Sequence, residues 1–177
     1  MAESGFIVCV PEAEAMVGNL RERFDSSARL GVPAHITVLF PFMSPENINA
    51  SVVQRIESVL RGAQRFEFSL AKVARFPATT YLEPEPTEPF IAFTESLARE
   101  FPQFPPFGGE FASIIPHLTV AHGNVTEVEA AEAELAASLA LNGPISSVCS
   151  SIVLMENSSG TWRRMHVFPL APSQTAG

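Results

Sequence analysis

The sequence predicts an α+β fold, a bilobal duplicated fold in which two antiparallel sheets line a central groove and helices lie on the outside. Three observations carry that expectation. Strand-like and helix-like segments alternate along the whole chain. The order strand, helix, strand, helix, strand occurs twice, with one strand added at the end. One short pattern, a histidine, an apolar residue, a threonine and a valine, stands in the middle strand of each half, at "HITV" 35–38 and "HLTV" 117–120.

The elements follow in order. Residues 4–11 are a short apolar run closed by proline, a strand. In 12–25 the acidic start, the basic end and the spacing of Met16, Val17, Leu20 and Phe24 predict a helix. A loop leads to the motif strand 35–42. Ser44 as N-cap, Pro45 in the first turn and the stripe Ile48, Val52, Ile56, Val59, Leu60 predict a helix over 44–63. Alternation of Phe66, Phe68 and Leu70 with polar residues predicts a strand over 65–77, turned at Pro77-Ala78 into another over 79–86. A helix is expected over 87–101, with Phe90, Leu97 and Phe101 on one face. Residues 102–116, rich in Pro, Gly and Phe, read as an ordered loop beside the second motif strand 117–122. The clearest helix is 126–142, capped by Thr126 and stopped by Asn142-Gly143. Residues 145–156 and 161–170 read as two strands joined by the turn "NSSG". The expected organisation is one domain over 1–177 with an internal repeat of roughly 4–77 and 79–170.

Composition narrows the function. The chain has 177 residues, 46% hydrophobic and 17% charged, an ordinary globular balance. Fourteen Phe against one Tyr and one Trp point to a Phe-packed core. The net charge of −8 and the scattered arginines argue against long nucleic acid as a partner. A local arginine pocket for one phosphate remains compatible, since a guanidinium can make two hydrogen bonds to it. Cys9 and Cys149 fall in strand-like segments and read as buried free thiols. No signal peptide and no membrane-length apolar run is visible, so a cytoplasmic location is expected.

The two motifs carry the chemistry. Side chains alternate along a strand, so His35 and Thr37 share a face, as do His117 and Thr119, while Ile36, Val38, Leu118 and Val120 point into the core. Two imidazoles facing one cavity can act as a base and an acid near neutral pH. Two threonine hydroxyls can hydrogen-bond phosphate oxygens without adding charge. That combination suits cleavage or transfer of a phosphodiester without a metal.

The chain resembles the 2H phosphoesterase superfamily, the group of the 2′-5′ RNA ligases and cyclic nucleotide phosphodiesterases, on its two histidine–apolar–threonine–apolar motifs, its order of elements, and the closing strand "TWRRMHVFPL". The resemblance implies a catalytic pair of His35 and His117 and phosphate binding by Thr37 and Thr119. It implies hydrolysis, or reversible ligation, of a cyclic or 2′-linked phosphodiester of a small nucleotide or RNA 3′-end. The non-enzymatic alternative is a module that binds nucleotide or phosphate in the same pocket. Which histidine is the base depends on substrate orientation; the working assignment gives His117 the water and His35 the leaving oxygen. Related RNA ligases often carry an arginine a few residues after the second histidine, where this chain has His122. Strict alternation places His122 on the face away from His117.

Further candidate substrate contacts are His122, Arg75, Phe76 and Tyr81, the last three around the turn between two central strands. Arg163 and Arg164 alternate, so at most one faces the groove. Trp162 reads as core and His166 as partly buried. No metal and no cofactor is expected: the four histidines include only one close pair, His117 and His122, at poor ligand spacing on a strand. A monomer is expected.

Overall fold

A computed structural model of the chain describes residues 1–174. Two four-stranded antiparallel sheets form its centre. The first takes β1 (Ser4–Cys9), β2 (His35–Leu39), β7 (Ser151–Glu156) and β8 (Arg163–Pro169) in the order β2-β1-β7-β8. The second takes β3 (Phe66–Phe76), β4 (Thr79–Glu85), β5 (Leu118–His122) and β6 (Ile145–Cys149) in the order β5-β4-β3-β6. The two motif strands are therefore edge strands, one per sheet, and β2 and β5 run close to each other. Sheet membership is nested: the second sheet is one continuous stretch of chain, held between the two segments that build the first.

The helices are α1 (Glu14–Phe24), the single turn α2 (Ser26–Arg29), α3 (Ala50–Leu60), α4 (Glu88–Glu100) and α5 (Val125–Asn142). Their packing crosses between the sheets. α1 leaves β1 yet packs on β5 and α5, and α4 leaves β4 yet packs on β2. Buried hydroxyls pin two of these contacts: Thr94 Oγ1 donates to the Val38 carbonyl at 2.6 Å, and Thr80 Oγ1 donates to the Val128 carbonyl at 2.7 Å. Each motif strand thus has apolar side chains under helices and polar ones on the open side. Ile36, Leu118 and Val120 are fully buried, while His35, Thr37, His117 and Thr119 are partly exposed.

The core is rich in Phe, as the composition suggests. Phe42 meets Phe6, Phe101 and Phe104 edge-on at 4.8 to 5.1 Å, and Phe90 meets Phe66 and Phe68 in the same way. Edge-to-face contacts of this kind add to the area these rings bury. Among the described residues no helix is long and apolar enough to cross a membrane.

Several local expectations are corrected. Residues 145–156 are two strands: the chain leaves the second sheet after Cys149 and enters the first at Ser151, a change of sheet that an unbroken run of β-favouring residues does not announce. The helix expected over 44–63 is a short 3-10 turn followed by α3, whose N-cap is Asn49, with Ser44 outside it. The N-cap of α5 is Asn124, whose side chain accepts from the Glu127 N–H at 3.0 Å; Thr126 lies inside the helix. The loop after α1 contains α2, capped by Asp25. His166 is exposed, and Trp162 is half-buried at the groove. The cap assignment is testable. Asn124→Ala is expected to cost about 1 kcal/mol and lower the melting temperature by about 3 °C. Thr126→Ala is expected to leave it within roughly 1 °C, the scatter of an exposed substitution.

Candidate active site

Each motif histidine is oriented by its own chain. His35 Nδ1 lies 2.8 Å from the Pro33 carbonyl, and His117 Nδ1 lies 2.7 Å from the Ile115 carbonyl, in both cases two residues back. A carbonyl only accepts, so Nδ1 carries the proton in each ring. Nε2 is then the free lone pair of the neutral form, and neither Nε2 has a protein partner among the described residues. The Thr37 and Thr119 hydroxyls also lack a hydrogen-bond partner among those residues. β2 and β5 run beside each other, so the two rings rise from neighbouring sheet edges.

His35 stands over a buried ionic group. The Arg21 side chain, 2% exposed, bonds Asp25 at 3.0 Å, the Val32 carbonyl at 3.0 Å and Ser27 Oγ at 3.1 Å. Asp25 in turn accepts from the Ser27 N–H and hydroxyl. The bonds to Val32 and Ser27 hold the segment 25–33, which ends in the carbonyl that orients His35. Burial pushes the His35 imidazole from its ordinary 6.5 down to about 4; the Pro33 carbonyl opposes this, and Arg21 and His117 add smaller downward pushes, partly offset by Asp25. The groove face beside it is apolar. A cavity of about 220 Å³ opens there, lined among others by Ile7, Val32, Phe40, Met155 and Trp162 as well as His35 and Thr37. The Trp162 backbone N–H donates to the Leu30 carbonyl at 2.7 Å, and its ring meets Phe40 edge-on at 6.0 Å. The adjoining Gly31 has φ 96°, and a Cβ there would lie 3.0 Å from the Trp162 carbonyl, so only glycine closes this turn without strain.

His117 sits in an aromatic setting. Phe76 and Tyr81, stacked on each other at 4.4 Å, lie 5.3 and 5.4 Å from its ring, and Phe107 lies roughly parallel to it at 6.3 Å. Phe107 comes from the loop 102–116. It adopts the left-handed conformation at φ 51°, unusual for an aromatic residue, and its N–H donates to the Phe40 carbonyl at 2.7 Å. The loop therefore ties the second motif to the end of β2. Burial lowers the His117 pKa below 6.5, against the pull of the Ile115 carbonyl.

The predicted site residues separate into two groups. His35 and Thr37 line the cavity beside Trp162, while Phe76, Tyr81 and Thr119 lie with His117 on one face of the second sheet. Arg75 lies on the opposite face of the second sheet, where its guanidinium reaches Glu132 at 3.1 Å and Glu129 at 3.5 Å on α5. On β3 it alternates with Phe76, so bringing one to the groove sends the other to the helix. His122 departs from strict alternation. Between Thr80/Tyr81 and Ala121/Thr119 the β4–β5 ladder carries a bulge, which buries both Val120 and Ala121 and turns His122 to the side of Thr79 and Tyr81. There it is exposed and bonded to Thr79 Oγ1 at 2.9 Å. Arg163 pairs with the buried Glu156. Sequence reasoning missed Arg21, Asp25 and Phe107. The signal for the first was present: Arg21 lies one turn after Val17, a charge on the apolar face of α1. Two other cavities, about 450 Å³ among Glu12, Glu67 and Glu85 and about 610 Å³ between α4 and the loop 105–114, hold no motif residue.

The two histidine–threonine motifs stand on neighbouring edge strands of two antiparallel sheets, the arrangement expected of the two-histidine phosphoesterase class. A family model described as the 2′-5′ RNA ligase superfamily matches residues 9–161, and the chain belongs to that family. Its fold is similar to that of TT0787 of Thermus thermophilus, with a TM-score of 0.63 at 16% identity over 97% of this chain and 100% of the other. It is also similar to E. coli LigT complexed with 3′-AMP, with a TM-score of 0.57 at 15% identity over 96% and 98% of the two chains. E. coli LigT complexed with NADP⁺ matches with a TM-score of 0.56 at 16% identity, over 96% of this chain and 97% of that one. A search of curated proteins finds no significant match.

Proposed function

We propose that the protein hydrolyses a cyclic or 2′-linked phosphodiester of a small nucleotide or RNA 3′-end without a metal. The observation that carries this reading is the paired histidines: two rings, each held through Nδ1 by the carbonyl two residues back, and each with its Nε2 and the hydroxyl of the threonine two residues on without a partner among the described residues. Binding alone does not need two such groups. The ligands of the LigT complexes, 3′-AMP and NADP⁺, are small nucleotides and support the substrate class.

In this mechanism one neutral imidazole takes a proton from water as the oxygen attacks phosphorus. The other, as imidazolium, gives its Nε2 proton to the departing ribose oxygen. Thr37 and Thr119 donate hydrogen bonds to the non-bridging oxygens. The deeper suppression of charge at His35 suits the base, and His117 the acid, the reverse of the assignment taken from the sequence.

The test is turnover of 2′,3′-cyclic mononucleotides, ADP-ribose cyclic phosphate and 2′-5′ dinucleotides in EDTA across pH. A base works unprotonated, so kcat/KM rises with pH through its pKa; an acid works protonated, so kcat/KM falls through its own. With His35 at about 4 and His117 below 6.5, the bell is expected to peak on the acid side of pH 6.5. A bound phosphate favours imidazolium, so the kcat profile is expected at higher pH than that of kcat/KM. Turnover that requires added metal, or that shows no pH dependence, would refute the reading.

A further inference from the structure

The groove floor carries one arginine that the histidine–threonine pairs do not account for. In the β7–β8 ladder, Leu154 faces His166 but the next residue, Met155, faces Arg164. This irregularity adds one residue to β8 and turns Arg164 to the side of Met155, which lines the cavity beside His35. Its neighbour Arg163 is taken by Glu156. Arg164 has no carboxylate within ion-pair distance among the described residues. Its guanidinium instead lies across the floor, with Nη2 4.0 Å from Cys9 Sγ. Cys9 is the register partner of His35 on the neighbouring strand. The carboxylate felt at Cys9 is that of Glu14, and this group is occupied by the Ala34 N–H at 2.6 Å.

An unpaired guanidinium on an otherwise apolar floor, in a protein of net charge −8, is suited to an anion. We propose that Arg164 binds a second, non-reacting phosphate of the substrate, so that the groove selects nucleotides carrying a phosphate besides the one cleaved. The proposal rests on the function proposed above. The reacting phosphate is already met by His35, Thr37, His117 and Thr119 from β2 and β5. Arg164 arises at the far edge of the first sheet, on β8, and its head stops at β1, one strand spacing of about 4.8 Å short of β2. The Arg164 head therefore stands beside the first motif and not on it, where a second phosphate of a bound nucleotide can be met.

The experiment compares kcat/KM for adenosine 2′,3′-cyclic phosphate with that for its 5′-phosphorylated form, in the parent, Arg164→Gln and Arg164→Lys. One charge-assisted contact corresponds to a preference of about tenfold to a hundredfold. The parent is expected to prefer the 5′-phosphorylated compound through a lower KM, Arg164→Gln to lose that preference, and Arg164→Lys to retain part of it. A parent without preference, or a preference unchanged in Arg164→Gln, overturns the proposal. If the parent turns over neither compound, the hydrolytic reading fails instead. Calorimetric titration with adenosine 3′,5′-bisphosphate then decides: tenfold weaker binding to Arg164→Gln supports the proposal, and equal binding overturns it.

Discussion

Replacing His117 by alanine is expected to lower metal-independent hydrolysis of a nucleoside 2′,3′-cyclic phosphate by about a thousandfold, since a positioned acid or base contributes on the order of 10²–10⁴ in rate. His35→Ala is expected to do the same. The two groups serve one transition state, so the double variant is expected to be little worse than either single one. Both side chains are partly exposed, and neither donates to a buried acceptor other than a backbone carbonyl of its own strand entry. Initial rates in EDTA, set beside melting curves, check this. A double variant slower than each single one by another thousandfold would mean that the histidines act in separate steps.

The second large effect is on stability. Asp25→Ala strands the Arg21 guanidinium, 2% exposed, without its carboxylate. Removing one partner of a buried pair costs about 3–5 kcal/mol. For a chain of this size that corresponds to a melting temperature lower by about 10 °C. Arg21→Met with Asp25→Leu is expected to recover part of the loss, because no charge remains buried alone. Activity is expected to fall in Asp25→Ala even well below its melting temperature. The segment that Arg21 and Asp25 hold carries the Pro33 carbonyl, and a loosened carbonyl leaves His35 free to rotate away from the groove. Thermal melts and rates at low temperature separate the two consequences.

Much of this was legible in the sequence because strand alternation is a local rule. It put His35 with Thr37 and His117 with Thr119 on open faces, and Ile36, Val38, Leu118 and Val120 inside. It failed where the ladder is irregular. The bulge at Val120 turned His122, and that between Leu154 and Met155 decided which of Arg163 and Arg164 reaches the groove. Both depend on how a partner strand meets the chain, which no local pattern encodes. Arg75 was misplaced for a related reason: its partners Glu129 and Glu132 lie on a helix whose docking side is set by tertiary packing. The cap positions show the same limit in small. Ser44 and Thr126 are acceptable caps by residue type, but Asn49 and Asn124 stand where the helical backbone begins.

The nested order of the sheets has a consequence for how the groove comes into being. The strands of the second sheet follow one another from β3 to β6 with only helices and loops between. The first sheet has to join β1 to β7 across the whole of that stretch, a loop of about 140 residues. A bare β1–β2 pair is only marginally stable in water. The pairing of β3 with β6, with Phe66 beside Cys149, brings the two ends of the inner stretch together and shortens that closure. His117 and Thr119 thus belong to the part that can assemble from neighbouring segments. His35, Thr37 and the Arg164 side chain belong to the sheet whose segments lie far apart in the sequence, and the contacts of α1 on β5 and of α4 on β2 couple the closing of that sheet to the covering of the other.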